Sequence, residues 1–183
     1  MSKAVFFFAP GLEECEGLVT VDLLRRAGVE VTIASITEDP MILGAHNIAV
    51  RCDALASALE LSSFDAVVLP GGMPGTEHLY ECETVRKTVL DYAAAGKTVA
   101  AICAAPTVLG RLGLLEGKRA TCYPGCEDQL TGAAYVDAET VTDGNLITGS
   151  GLGAAIPFAL TIIAALEGAE CADRVRRSII YRH

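Results

Sequence analysis

The chain has 183 residues, 51% of them hydrophobic, so it is long enough to bury a proper core and too apolar to be disordered. A net charge of −9, with basic residues dispersed apart from Arg25-Arg26 and Arg174-Arg176-Arg177, argues against nucleic-acid binding, which needs a basic face. Seven cysteines, an odd number, fit a reducing cytoplasm better than a disulfide framework.

From the N-terminus, a single lysine and a short apolar run followed by acids do not make a signal peptide. Ala4 to Phe8 reads as a buried strand, and Glu16 to Ala27 as a helix closed by Gly28. Val29 to Ala34 is the next strand. Met41 to Leu43 and Ile48 to Val50 suggest a hairpin around Gly44 to Asn47. Ala66 to Leu69 is a strand that runs into the glycine-rich turn PGGMPG. Thr84 to Ala95 is a helix closed by Gly96, and Thr98 to Ile102 is a strand feeding Cys103. Short strands follow at Ala120 to Cys122, Tyr135 to Asp137, Thr140 to Thr142 and Leu146 to Thr148, the last two joined by an Asp143-Gly144 turn. Helices at Ala154 to Glu167 and Ala172 to Ser178 close the chain. The first is the longest apolar stretch, but it contains Pro157 and is shorter than a membrane span.

Continuous apolar strands alternating with helices imply a mostly parallel sheet covered on both faces: one domain over residues 1–183, a flavodoxin-like α/β three-layer sandwich. Ligands in such sheets bind at the carboxyl ends of strands, beside a topological switch point. Three punctuated strand ends are expected to converge there: Pro10-Gly11 with the acids after it, Pro70-Gly71-Gly72, and Ile102-Cys103-Ala104.

Cys103 is the candidate nucleophile. It stands at a strand-to-helix turn with small neighbours, followed by Pro106, which suits a first helical turn. Free N–H groups and the helix dipole there would favour thiolate. Of the acids Glu13-Glu14-Cys15-Glu16, one or two are explained as helix-capping carboxylates. Glu16 turned into the pocket would be kept protonated by burial and would hand a proton to Cys103 or to a bound carbonyl. Gly71 and Gly72 leave room for a ligand, and with the Ala104 N–H they would form an oxyanion hole.

Cys15 is the other cysteine expected near the pocket. The spacing matches no nucleotide-binding motif. His46 lies in the hairpin turn, and His78 and His183 read as surface residues, so no Cys-His dyad is announced. Cys122 and Cys126, in CYPGC, lack the second pair or histidine that zinc would need and read as structural. No metal or cofactor is expected.

The runs PGLEECEGLVTVDLLRRAGVEVTIAS, DAVVLPGGMPGTEHL, TVAAICAAPTVLG and GLGAAIPFALTIIAALEG together resemble the ThiJ/PfpI superfamily over essentially the whole chain. The branch is that of DJ-one, the parkinsonism-associated deglycase, and its small bacterial ThiJ/YajL relatives. The resemblance implies that Cys103 is the oxidation-sensitive nucleophile, Glu16 the pocket glutamate, and Gly72 and Ala104 the backbone donors. It also implies a homodimer with the first helix at the interface, and places Arg26 near that interface.

The chain departs from the family pattern at three places. Tyr123, before Pro124, stands where human-type members carry a pocket histidine, as an aromatic does in bacterial relatives. His46 and Ser150 stand where arginines are expected, His46 in place of one from the partner subunit. Ala104 replaces the histidine that follows the cysteine in protease-like members. The implied activity is cofactor-free glyoxalase or deglycase chemistry on methylglyoxal, glyoxal or glycated side chains. The alternatives are a redox-sensing chaperone whose Cys103 becomes sulfinate, and an amidase of the superfamily.

Overall fold

A computed structural model describes residues 1–182; His183 lies outside the described residues. The strands and helices, in chain order, are β1 (Lys3–Phe8), α1 (Glu14–Arg26), β2 (Glu30–Ser35), β3 (Met41–Leu43), β4 (Ala49–Arg51) and β5 (Ala54–Leu55). Next come β6 (Ala66–Leu69), α2 (Gly75–Glu81), α3 (Glu83–Ala94), β7 (Thr98–Ile102), α4 (Pro106–Arg111), β8 (Arg119–Ala120) and β9 (Ala134–Tyr135). The chain closes with β10 (Thr140–Asp143), β11 (Leu146–Gly149), α5 (Ala155–Glu167) and α6 (Ala169–Ser178).

Seven strands form one sheet in the order β10-β11-β7-β6-β1-β2-β5. Every pairing in it is parallel except the edge hairpin β10–β11. β3 and β4 form the expected hairpin as a separate two-stranded ladder. β8 pairs in parallel with β9, so the expected strand at Ala120 to Cys122 is cut to Arg119–Ala120 and Cys122 lies beyond it. Two short elements were not anticipated. β5 is a two-residue edge strand, and α2 occupies residues read as loop or helix start.

The unbroken apolar run of β1 follows from a strand with helices on both sides, because successive side chains point to opposite faces. Phe6 and Phe8 enter the core shared with α1, α5 and α6, where Leu24, Phe158 and Ile162 are buried. Val5 and Phe7 enter the opposite core with Val85, Val89, Val108 and Leu109 from α3 and α4. Pro157 lies in the first turn of α5, where the missing N–H has no carbonyl to lose. Among the described residues no helix is long and apolar enough to cross a membrane.

From β1 the chain builds outward through β2 and β5, then returns to the other side of β1 for β6, β7 and β11. The order therefore reverses between β1 and β6. The loop after β1 and the loop after β6 pack against each other there, with Glu13 N–H donating to Gly71 O at 2.9 Å, and the turn after β7 lies alongside. The three punctuated strand ends meet at the switch point, as the alternation pattern predicts.

Candidate functional site

Cys103 follows β7 directly with φ +65, a left-handed conformation that residues with side chains seldom hold. Neighbouring backbone fixes it there. Cys103 N–H donates to Gly149 O at 2.9 Å, and Tyr123 N–H donates to Cys103 O at 2.8 Å. The expected sharp elbow is present, and Pro106 is the first residue of α4.

Glu16 reaches the same point from the first turn of α1. Its N–H is capped by Glu13 Oε2 at 2.7 Å, which sets the start of the helix. The side chain is 1% exposed, and Oε2 accepts the Gly71 N–H at 3.0 Å. Oε1 is buried with no partner of hydrogen-bonding geometry, although the carboxyl adjoins the Cys103 thiol.

Gly71 is the wedge that permits this approach. A Cβ on it would lie 2.6 Å from Cys103 Cβ and 2.7 Å from Glu16 Oε2. Its N–H is spent on Glu16, so Gly71 is not the free oxyanion donor that the sequence suggested. The Gly72 and Ala104 N–H groups are near enough to the Cys103 sulfur to favour its charged form. They favour a charge that forms on the nucleophile itself rather than waiting across an empty hole.

The protonation of the pair corrects a second expectation. Burial pushes the Cys103 thiol up to about 12, the neighbouring Glu16 adds to the rise, and the Ala104 and Gly72 N–H groups oppose it. Desolvation outweighs the backbone donors, and a helix of six residues has little dipole to offer. Burial likewise pushes Glu16 up to about 7; contact with Cys103 and the Gly71 N–H oppose this, and the Glu13 charge adds to it. The two groups titrate as one unit. Losing both protons would set two negative charges side by side in a buried site. Losing one leaves a single charge that either sulfur or carboxylate can carry. A thiolate near neutral pH therefore exists with Glu16 protonated.

Tyr123 and Gly151 border the sulfur. A Cβ on Gly151 would sit 3.4 Å from Tyr123 Cδ2 and 4.0 Å from Cys103 Sγ, so the two residues frame the space above the thiol. Tyr123 is 53% exposed and forms the open side, with Pro124 exposed beyond it. Gly151 was not anticipated, since nothing near it in the chain marks it as a neighbour of Cys103. Glu13, which caps Glu16, has a legible signal in its position three residues upstream.

Other expected site residues lie elsewhere. Cys15 is exposed on α1, on a different face from the buried Glu16 one residue later. Arg26 is the last residue of α1, about 15 Å of helix rise from Glu16. It pairs with Asp22 at 2.7 Å beside a cleft lined by Leu18, Val19, Leu23 and Ile156, and is no part of the Cys103 pocket. His78 is not free surface: it is partly buried in α2, and its Nδ1 is 2.8 Å from Pro10 O, which can only accept. A cleft of about 550 Å³ between Leu59, Thr88 and Tyr92 is lined by no cysteine, so chemistry rather than volume marks the site.

His46 touches the acidic cluster instead of the sulfur. Its Nδ1 is 2.9 Å from Glu14 Oε2, and its N–H donates to Glu14 Oε1 at 2.8 Å. Glu14 thereby straps the β3–β4 hairpin to α1. Burial works to raise its carboxyl, but the hydrogen bonds from the His46 ring and from backbone N–H groups outweigh that and hold it at about 2. A carboxyl with a folded pKa below its unfolded one stabilises the fold above the unfolded pKa and loses that contribution as pH falls. Acid unfolding should therefore steepen from about 4.5 down to about 2, and Glu14→Gln should flatten the curve in that window. An unchanged curve would show that the strap contributes nothing.

Residues 2–165 match the model of the DJ-1/PfpI family. The chain belongs to the DJ-1/PfpI family. It is 39% identical to protein dj-1beta of Drosophila melanogaster, over 98% of both chains. It is 35% identical over 86% of its length to a Caenorhabditis elegans protein named glutathione-independent glyoxalase DJR-1.2, 84% of which is covered. Among solved structures, a cysteine-to-alanine mutant of a DJ-1 superfamily protein from Salmonella typhimurium superposes with a TM-score of 0.95, at 38% identity and full coverage of both chains. The sandwich described above is thus the DJ-1 fold.

Proposed function

We propose that the protein is a cofactor-free glyoxalase and deglycase that acts on methylglyoxal, glyoxal or their adducts with protein side chains. The observation that carries the reading is the thiol and carboxyl of Cys103 and Glu16 held in contact, with two N–H groups near enough to the sulfur to favour its charge. Such a pair can form a nucleophile and still keep a proton to give. The glyoxalase name of the nematode relative supports the reaction class.

In the first step the Cys103 thiolate adds to the aldehyde carbon, and the carboxyl proton of Glu16 passes to the new oxyanion, giving a hemithioacetal. The Glu16 carboxylate then removes the hydrogen from that carbon and an enediol forms. Return of the proton to the neighbouring carbon leaves a thioester of lactate on Cys103. Water hydrolyses the thioester, which frees lactate and restores thiol and carboxyl. With a glycated amine or thiol, the thiolate forms its C–S bond at the hemiaminal or hemithioacetal carbon as the bond to the side chain breaks, and the amine or thiol leaves with the Glu16 proton, giving the same hemithioacetal on Cys103.

The apolar side chains around Arg26 and the exposed Leu18 support assembly of two copies through α1. The deciding experiment is D-lactate formation from methylglyoxal, without glutathione, by wild type, Cys103→Ser and Glu16→Ala. Turnover in wild type alone is expected. Equal rates in all three would remove the mechanism.

One observation favours a second reading. The unpartnered Glu16 Oε1 would be satisfied by donating its proton to an oxygen of an oxidised Cys103, which is the arrangement of a redox sensor. Selective addition of two oxygens at Cys103 by dilute peroxide, with no aldehyde turnover, would establish it.

A further inference from the structure

The two turns that offer N–H groups to Cys103 each run straight into a short helix. Gly72 O accepts the Thr76 N–H at 2.9 Å, in the first turn of α2. Ala104 O accepts the Thr107 N–H at 3.0 Å and the Thr107 hydroxyl at 2.7 Å, in the first turn of α4. α2 has seven residues and α4 six, too few for either to hold its shape unaided. Their orientation is set by what ties them to each other and to the rest of the fold.

Arg111, the last residue of α4, makes such a tie. Its Nη1 donates to both carboxylate oxygens of Glu77 on α2, at 3.0 and 2.8 Å. Its guanidinium carbon lies 3.4 Å from the centre of the Tyr80 ring, also on α2, which is stacking contact. Glu77 and Tyr80 are three residues apart, so one face of α2 presents both groups to Arg111. Arg86 of α3 closes the far end of α2, donating to Tyr80 O at 2.6 Å and to Glu81 O at 2.8 Å.

We propose that Arg111 is a positioning residue for Cys103: by fastening α4 to Glu77 and Tyr80 of α2, it fixes the Ala104 turn relative to the Gly72 turn and keeps both N–H groups at the sulfur. The left-handed backbone of Cys103 gives this tie something to oppose. A residue in that region stays there only while its surroundings over-determine it. On one side Cys103 is held by Gly149 and Tyr123; on the other, α4 follows within three residues. An α4 released at its far end lets the elbow relax and turns the Ala104 N–H away. Loss of that donor withdraws support from the thiolate and not from the Glu16 carboxylate, so the single charge of the pair moves toward Glu16. The pH at which the pair loses its proton then changes little, because burial holds the thiol well above the carboxyl. The inference rests on Cys103 as the reactive thiol, as the proposed function does, but on no step of the aldehyde reaction.

The test is the rate of iodoacetamide labelling of Cys103, read from the mass of its peptide, from about pH 6 to about pH 9, a range that brackets the Glu16 titration. Wild type is compared with Arg111→Met, Glu77→Gln and the double variant. Lys87→Met, which removes an exposed ion pair with Asp91 within α3, is the control. Labelling in Arg111→Met is expected to fall about fivefold with its pH midpoint unmoved, since the tie can bias the elbow by no more than its own free energy and a partly exposed ion pair reaches about that factor. Glu77→Gln should slow labelling less, because its amide oxygen still accepts from Arg111, and the double variant should be no slower than Arg111→Met. Lys87→Met should match wild type. A role in stability alone would act in the opposite direction, because looser packing exposes a buried thiol and speeds its labelling. Arg111→Met that labels at the wild-type rate or faster would overturn the proposal, as would a double variant slowed by the product of the two single effects. Labelling slowed as expected, in a protein whose wild type makes no lactate from methylglyoxal, would keep the positioning role and remove the proposed function instead.

Discussion

Glu16→Gln is expected to give a protein that is more stable than wild type at pH 8 yet has lost methylglyoxal turnover by about a hundredfold or more, the lower range for removing a positioned acid–base group. The stability gain follows from linkage. Glu16 goes from 4.5 in the unfolded chain to about 7 when folded, because burial disfavours its charge. A carboxyl shifted in this direction holds its proton more tightly when folded, so stability is highest below the unfolded pKa and falls as pH rises through the folded one. At 1.36 kcal/mol per pH unit, the penalty above pH 7 is on the order of 3 kcal/mol. Glutamine carries no such penalty, and its carbonyl oxygen can still accept the Gly71 N–H. Roughly 2–4 °C of melting temperature per kcal/mol makes the gain readable by calorimetry at pH 8. At pH 4.5 the two proteins should melt together. A glutamine variant less stable than wild type at pH 8 would show that the charged carboxylate is stabilised by something other than Cys103 and Gly71.

What the sequence disclosed here was periodicity and punctuation. The doubly buried β1, the helix after Glu13 and the strand before Cys103 are legible because their side chains repeat with the period of the element. The convergence of Gly11, Gly71-Gly72 and Cys103 is legible because an alternating α/β chain must place those strand ends on one edge of the sheet. The direction of the Cys103 shift was not legible. It depends on how much solvent the fold removes, and burial there outweighs the backbone donors expected at the turn. Gly71 was misassigned for a related reason: its N–H could serve a ligand or Glu16, and only the packing of α1 against the β6 turn decides which. Arg26 and Cys15 follow from helix geometry, since a residue ten positions or one position from Glu16 on α1 cannot share its direction and height. Gly151 carries no local mark, because its importance lies in a contact with Tyr123 and Cys103 that the chain makes across separate turns.

Two glycines with nearly the same positive φ separate strain from steric fit. Gly28 has φ +90 and Gly72 has φ +91, so an alanine at either position meets a positive-φ penalty of about 1 kcal/mol. Their surroundings differ completely. A Cβ on Gly28 meets nothing within 4 Å, whereas on Gly72 it would lie 2.2 Å from Glu13 N, 2.6 Å from Leu12 C and 2.7 Å from Gly11 O. Those are backbone atoms of the segment that caps α1, and they cannot rotate away. Gly72→Ala must therefore displace Glu13, which caps Glu16, and turn the Gly72 N–H from the Cys103 sulfur. It is expected to cost roughly 3 kcal/mol beyond the shared strain, the upper range for overpacking. It should also slow Cys103 alkylation well below wild type, while Gly28→Ala leaves that rate unchanged and loses only the shared penalty. Urea unfolding of both variants, with iodoacetamide kinetics under folding conditions, provides the comparison. Equal losses of stability would mean that the loop after β1 yields freely and does not hold Glu16 against Cys103.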